Sequence, residues 1–291
     1  MEVLQLLLSG LANGCIYGLL ALGFVLIYKT SETVNFAQGD MMMFGAFLAV
    51  TFINTEWLGW PFLPGLLAAM FLMGAMSYML DKFIFRQIFG QPQFAMVILT
   101  IALGFVIRFI AGAIWGHEPT VINTPLAGKQ VELGGLVLGA DDLTVIIVTV
   151  ILTIALYFFF SKTKTGLAMQ ACSQNQLAAY YMGIPVKRVF SLVWALAGVL
   201  AAIAGVLFAS KGTVDPSSGL LGIKAFAAAV IGGFGSLPGA LLGGLVVGLV
   251  EPFAARYLAA GYSQIAPYAI MIIVLVFAPN GLFAQMQKKK V

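Results

Sequence analysis

Charge-free stretches as long as a membrane span recur along this chain. Residues 3–28, 57–80, 87–107, 143–161, 189–210, 225–250 and 257–287 contain no Asp, Glu, Lys or Arg. A shorter one, 41–55, extends backwards through 34–39 past a single acid, Asp40. About 20 residues of helix cross the ~30 Å hydrocarbon core of a bilayer. Backbone amides in that medium must be satisfied within the protein, so helices are the expected form. Only 9 % of the 291 residues are charged, against about 25 % in a soluble domain. So few charges cannot cover a water-facing surface, and lipid must solvate most of the molecule. The expected fold is all-α, a polytopic transmembrane bundle of about eight spans in a single domain over 1–291.

The first stretch reads as a retained span rather than a signal peptide. Glu2, not a basic cluster, precedes it, and it runs long before any cleavage site. Cys15 and Cys172 have no disulfide or metal spacing and read as packing residues.

Charge distribution sets the expected orientation. Lys82 and Arg86, the segment 162–188 and the lysines at 288–290 are basic clusters, and the positive-inside rule puts them in the cytoplasm. The segment 116–142 holds Glu118, Glu132, Asp141 and Asp142 against Lys129, and is expected outside. The first span then runs inward to Lys29, and the sixth runs outward to Lys211. Trp57 and Trp60 fall in a short outer loop, as interfacial aromatics should. On this path Asp40 lies near the inner edge, and Glu251 and Arg256 are boundary charges at the inner end of the seventh span. The GGFGSLPG run at 232–239 breaks a helix near 223–239. The lysine tail ends inside only if the stretches on either side of that break both cross, which requires a short, broken helix before it; a re-entrant loop would leave the lysines outside. Gly235, Gly239 and Gly243, and Gly244 with Gly248, have the GxxxG spacing of close helix packing.

VNFAQG at 34–39 and VDPSSG at 214–219 each follow a lysine at a span end. With the preceding spans running in opposite directions, the halves would be inverted repeats. Two matches this short are equally compatible with chance.

The basic segment 162–188 carries Lys162, Lys164, Lys187 and Arg188 and no acid. Within it, Ser173 and Gln176 have the spacing of a capping box. Gly183 suits the position after the last helical residue, and Pro185 prevents continuation. The spacing predicts a helix over 174–182. Leu177, Tyr180 and Tyr181 make one apolar face, and Ala178 and Ala179 keep part of the surface low. Such a helix can rest on the membrane interface or seat in a groove of a cytosolic partner.

Two other places carry polar groups at membrane depth. Asn35, Gln38 and Asp40 surround Gly39, where the chain can turn or approach another backbone. Their readings are a transport path or a capped helix start, with Asn35 as N-cap and Asp40 favourable at the helix N-terminus. Arg108 stands nearly alone in the fourth span. It is a pathway or gating residue, or it snorkels or pairs structurally.

The chain lacks a G-x-x-x-x-G-K-[ST] phosphate loop, and its one histidine, His117, sits in the acidic segment. No catalytic or metal-ligating set can be assembled from the sequence, so no enzyme activity and no cofactor are expected. Any ATP that drives the protein is hydrolysed by another polypeptide.

Family resemblance sharpens these readings. Ala178, Ala179 and Gly183 resemble the AAxxxG core of the EAA loop of ABC importer permeases, with Leu177 where that family usually has Glu. In that family the loop forms the coupling helix that docks on the ATPase. Residues 18–49 resemble LivH-type permeases of branched-chain amino acid ABC importers. The characteristic part is NFAxGxxxxxGA, here Asn35, Phe36, Ala37, Gly39, Gly45 and Ala46, with Asp40 where the family often has an acid. The blocks at 231–251 and 279–283 agree, except that Ala278 replaces a frequent Arg.

The resemblance implies a permease subunit of the bacterial inner membrane for branched-chain amino acids or related small polar solutes. It also implies a second, LivM-like permease, two cytosolic ATPase subunits and a periplasmic or tethered solute-binding protein. Ser173, Gln176, Leu177, Ala178, Ala179, Tyr181 and Gly183 would form the coupling helix. Asn35, Gln38, Gly39, Asp40 and Arg108 are the candidate pathway residues. The alternative is an ion-coupled secondary transporter or channel working alone, which would need carboxylate ligands near mid-membrane.

Overall fold

The computed structural model of the chain describes residues 2–88, 91–125, 129–133, 136–259 and 261–283. The lysines at 288–290 lie outside the described residues. The first half contains α1 (Glu2–Ser31), α2 (Gln38–Ile53), α3 (Phe62–Leu80), a π-helical turn (Asp81–Phe85), α4 (Arg86–Ile88) and α5 (Gln93–Trp115). There follow β1 (Gln130–Leu133), β2 (Leu136–Gly139), α6 (Ala140–Lys162), α7 (Lys164–Gln174) and α8 (Gln176–Tyr181). The last part contains α9 (Val186–Lys211), a 3-10 turn (Pro216–Leu220), α10 (Leu221–Gly232), α11 (Leu237–Tyr257) and α12 (Tyr262–Phe277).

Among the described residues, six helices are long and apolar enough to cross a bilayer: α1, α3 with its continuation to Ile88, α5, α6, α9 and α11. Three shorter apolar helices accompany them: α2, the Pro216–Gly232 segment and α12. The expected count of about eight spans is therefore not matched by long helices. Hydropathy registers an apolar stretch whether it holds a full helix or a half-length helix with an extended lead. The all-α expectation is also amended by one antiparallel hairpin, β1 with β2, in the acidic segment.

Helix α1 is the axis of the bundle. Of its apolar window 89 % is buried, against 17 % for α6, which turns Ile147, Val150, Ile151 and Ile154 outward. Close packing against α11 explains the position of α1. Gly10, Gly14 and Gly18 meet Gly248, Gly244 and Leu241, so the two helices run antiparallel. A Cβ on Gly14 would sit 2.8 Å from Leu245 Cα, closer than atoms tolerate. The GxxxG pair Gly244 and Gly248 thus packs backbone on backbone, where dispersion contacts replace the absent hydrophobic drive between helices in lipid. Gly239 and Gly243 do the same against α10, at Gly232 and Ala228.

The two ends of the bundle differ in charge, as the charge bias implies. At one end Lys211 Nζ pairs with Asp142 Oδ1 (2.7 Å) and donates to Asn13 Oδ1 (2.6 Å), while Thr120 pairs with Val214. At the other, Arg86 Nη2 donates to the Lys187 carbonyl (2.9 Å), and Ser191 Oγ bonds Asp81 Oδ2 (2.6 Å). These ends are called acidic and basic below.

The half-length helices meet in the middle. After α1 reaches the basic end, residues 32–37 turn back into the bundle and α2 starts at Gln38. Gln38 Nε2 donates to the Ala197 carbonyl (3.1 Å), about half-way along the 26-residue α9. From the acidic end, the 3-10 turn descends to the same level, and α10 continues towards the basic end. Gly39 and Gly222 touch there: a Cβ on Gly39 would lie 2.6 Å from Gly222 Cα and would also strike the Gly219 carbonyl.

Two expected placements change. Asp40 lies at this mid-depth crossing, not near the inner edge. Glu251 is no boundary charge at an inner end: it lies in the acidic-end half of α11, where its Oε2 accepts from Tyr17 OH (2.5 Å) and its Oε1 pairs with Lys224. Burying a carboxylate in a bilayer is tolerable when such partners satisfy it.

Candidate functional site

The basic end presents α7 and α8 as a helical pair. Thr163 caps α7, its Oγ1 accepting from Gly166 N (3.0 Å). Helix α7 extends through Ser173, so the capping box expected at Ser173 does not form. Ser173 Oγ donates instead to the Gln170 carbonyl (2.8 Å), as a serine inside a helix does. The cap of α8 is Asn175, whose Oδ1 accepts from Ala178 N (2.9 Å). Two cap-competent residues lie within three positions, and the fit of α7 against the bundle selects the second.

The predicted stop holds. Gly183 has φ +82, in the left-handed region that favours glycine. Its N–H bonds to the Tyr180 carbonyl and that of Ile184 to the Ala179 carbonyl, both at 3.0 Å. Together these form a Schellman motif. Ala179 is buried against the bundle, whereas Leu177, Tyr180, Tyr181 and Met182 stand 66–83 % exposed. The apolar face therefore points away from the protein. Gln176 turns the other way: its Nε2 donates to the Thr30 carbonyl in the last turn of α1 (2.7 Å).

Cys172 is a buried residue of α7, and burial raises its thiol pKa above the ordinary value. Cys15 is buried as well. A raised pKa leaves little thiolate at neutral pH. In mild detergent at pH 7 the folded chain is expected to react barely at all with a maleimide, and at two thiols after unfolding. Fast labelling of the folded protein, followed by mass spectrometry, would contradict the seating of α7.

The second constellation is the mid-depth crossing. Asn35 does not cap α2. Ala37 holds that position without a side-chain bond, and Asn35 Oδ1 accepts from Ala37 N (3.1 Å) in an Asx turn two residues long. Asn35 Nδ2 donates to Gln38 Oε1 (3.3 Å). Asp40 is bound by Arg108, whose Nε and Nη2 both donate to Oδ1 (3.1 and 2.8 Å). Gly104 and Gly219 flank that carboxylate so closely that a Cβ on either would strike it. Asn35, Gln38 and Asp40 are buried, while the Arg108 side chain keeps 27 % of its surface and lies 5.7 Å from the Phe105 ring centre. The structure thus brings the five candidate pathway residues into one knot. The coupling-helix residues form a separate group at the basic end.

Sequence reasoning missed the Tyr17–Glu251–Lys224 cluster and the role of Gln176. No local signal marks either, because the partners are 234 and 146 residues apart. The two family-like blocks near the C-terminus also prove to be one feature. Leu282 N donates to the Ile231 carbonyl (2.9 Å), and Gly281 packs on Gly233.

Comparison with known proteins decides the family. The family described as "Branched-chain amino acid transport system / permease component" matches residues 6–275. The chain belongs to that permease family. Two relatives show how completely it does so. The permease protein BraD of the high-affinity branched-chain amino acid transport system of Pseudomonas aeruginosa is 30 % identical over 99 % of this chain and 98 % of its own. LivH of Escherichia coli K12, named for the same kind of system, is 28 % identical over 99 % and 97 %. PsaBC from Streptococcus pneumoniae, solved in complex with Fab, shares the fold at TM-score 0.51 and 17 % identity, covering 96 % of this chain and 93 % of that one. This permease is accordingly a multi-pass membrane transport component and not an enzyme.

Proposed function

We propose that the chain is the single-domain permease subunit of a bacterial inner-membrane ABC importer for branched-chain amino acids or related small polar solutes. It pairs with a second, LivM-like permease. Two cytosolic ATPase subunits drive it, and a periplasmic or tethered binding protein delivers solute at the acidic end. The chain itself holds no cofactor, and ATP is hydrolysed by the partners. The observation that carries this reading is α8, a capped helix at the basic end with its apolar face turned outward. Leu177 in place of an acid makes that contact apolar rather than ionic. The family is that of a permease component of a larger transport system, which favours a partner over the membrane interface as the occupant of that face.

The chain is further read as nine passes in two inverted halves. In support, α1 packs on α11 as α9 packs on α3, and α10 lies against α1 as α2 lies against α9. The two motif glycines, Gly39 and Gly219, touch at the centre. Inverted repeats with a mid-membrane site between broken helices are common in transporters. Among the candidate pathway residues, Arg108 has the exposed edge, and it is the one placed to meet solute beside a second permease.

Gly183→Val tests the docking role. A β-branched residue at φ +82 is strained, and the helix stop should weaken by about 1–2 kcal/mol. The permease should still be made and extracted as a folded species. Co-elution of the ATPase subunit and ATP-dependent leucine uptake should both fall by about five- to thirty-fold, as a shift of that size implies. Retained association and uptake would remove α8 as the docking element.

A further inference from the structure

Gln176 stands at the first position of α8, yet its side chain leaves that helix. It donates to the Thr30 carbonyl of α1 at 2.7 Å, across 146 residues. Thr30 O is among the last carbonyls of α1, which have no partner within their own helix. The neighbouring hydroxyls do not compete for it. Thr30 Oγ1 donates to the Leu26 and Ile27 carbonyls, and Ser31 Oγ to Ile27. The first residue of the outward-facing helix therefore caps the axial helix of the bundle.

The turn just beyond Thr30 makes that bond consequential. Glu32 has φ +54, a left-handed conformation uncommon for a residue with a side chain. It ends α1 and turns the chain back into the bundle. A few residues later α2 begins at Gln38, and with it the crossing where Gly39 meets Gly219 and Asp40 meets Arg108. This lead is six residues, 32–37, and is tied at its far end: Phe36 N donates to Thr100 Oγ1 (3.1 Å) and Ala37 N to Asn35 Oδ1 (3.1 Å). A lead this short leaves few residues to take up a displacement of Thr30 before it reaches mid-depth.

We infer that Gln176 is a positioning residue that transmits movement of α8 through the Thr30 carbonyl and the Glu32 turn to the mid-membrane crossing. It touches neither solute nor ATPase. The inference rests on α8 being the ATPase-docking helix, and it adds the route by which docking reaches the crossing. The proposed route is one hydrogen bond, one left-handed turn and one short lead, in series.

Gln176→Leu keeps the size and apolar stem of the side chain and removes the donor. The test reconstitutes the full transporter in liposomes and measures leucine taken up per ATP hydrolysed. Co-elution of the ATPase subunit is measured alongside. Q176L should retain co-elution while uptake per ATP falls about five-fold, the loss expected for one hydrogen bond. Gln176→Arg, whose guanidinium can donate to the same carbonyl, should restore more than half of it. Unchanged uptake per ATP in Q176L would overturn the inference and leave the docking reading intact. Loss of co-elution or of folded protein in Q176L would overturn it too, making Gln176 a docking or purely structural residue. An equal loss in Q176R would exclude the hydrogen bond as the link. Failure of the wild-type chain to co-elute with an ATPase would remove the docking reading, and this inference with it.

Discussion

Gly39→Ala is expected to prevent the two half-length helices from meeting, so that folded, transport-competent permease fails to accumulate. The added methyl would lie 2.6 Å from Gly222 Cα and 2.7 Å from Gly222 N, and would also strike the Gly219 carbonyl. These are backbone atoms, so no flexible side chain can yield. Overpacking a tight core typically costs 1–3 kcal/mol, and against two backbones about 3 kcal/mol or more is expected. Gly235→Ala is the control, since nothing among the described residues lies within 4 Å of a Cβ built there. Its effect should stay within about 0.5 kcal/mol. The measurement is the yield and melting temperature of the monodisperse species in detergent. If Gly39→Ala behaves like Gly235→Ala, the contact at the crossing is wrong.

Arg108→Ala should have the next largest effect. Asp40 is 6 % exposed, and Arg108 supplies both charged donors to its Oδ1. Removing one partner of a buried pair costs about 3–5 kcal/mol, because the remaining charge is left without compensation. The Arg108 side chain keeps part of its surface exposed, so the lower figure is the better guide here. The variant should melt several degrees below the parent, with uptake reduced at least about ten-fold. Arg108→Lys should not restore it, since a single ammonium cannot reproduce the two-pronged grip. The double variant Asp40→Asn with Arg108→Gln should recover part of the stability, because no charge is then left alone. An Arg108→Ala protein with unaltered melting and uptake would reduce the pair to an incidental contact.

The parts of the site that were legible in sequence are those governed by near neighbours. The stop at Gly183 and Pro185 was readable because a Schellman motif is closed by backbone groups within five residues. The helix-packing role of Gly244 and Gly248 was readable because GxxxG spacing puts both on one face. The start of α8 was not. Ser173 and Asn175 are both competent caps, and only the seating of α7 on the bundle puts the first inside a helix. The same applies to Gln176, whose spacing from Ser173 matched a local motif while its true partner lay on α1.

Sequence alone determined that this protein lives in lipid, which end of the bundle is basic, and where the outward-facing helix stops. Each follows from local quantities: hydropathy over about 20 residues, charge bias between spans and one glycine-proline stop. Only the tertiary structure decided that the two short helices meet at Gly39 and Gly219, that Asp40 lies at mid-depth bound to Arg108, and that Glu251 is half-buried with Tyr17 and Lys224 as partners. The reason is that a buried polar group in a membrane must find a partner wherever helix packing brings one. That partner can be 68 or 234 residues away, beyond any periodicity or spacing the chain can display.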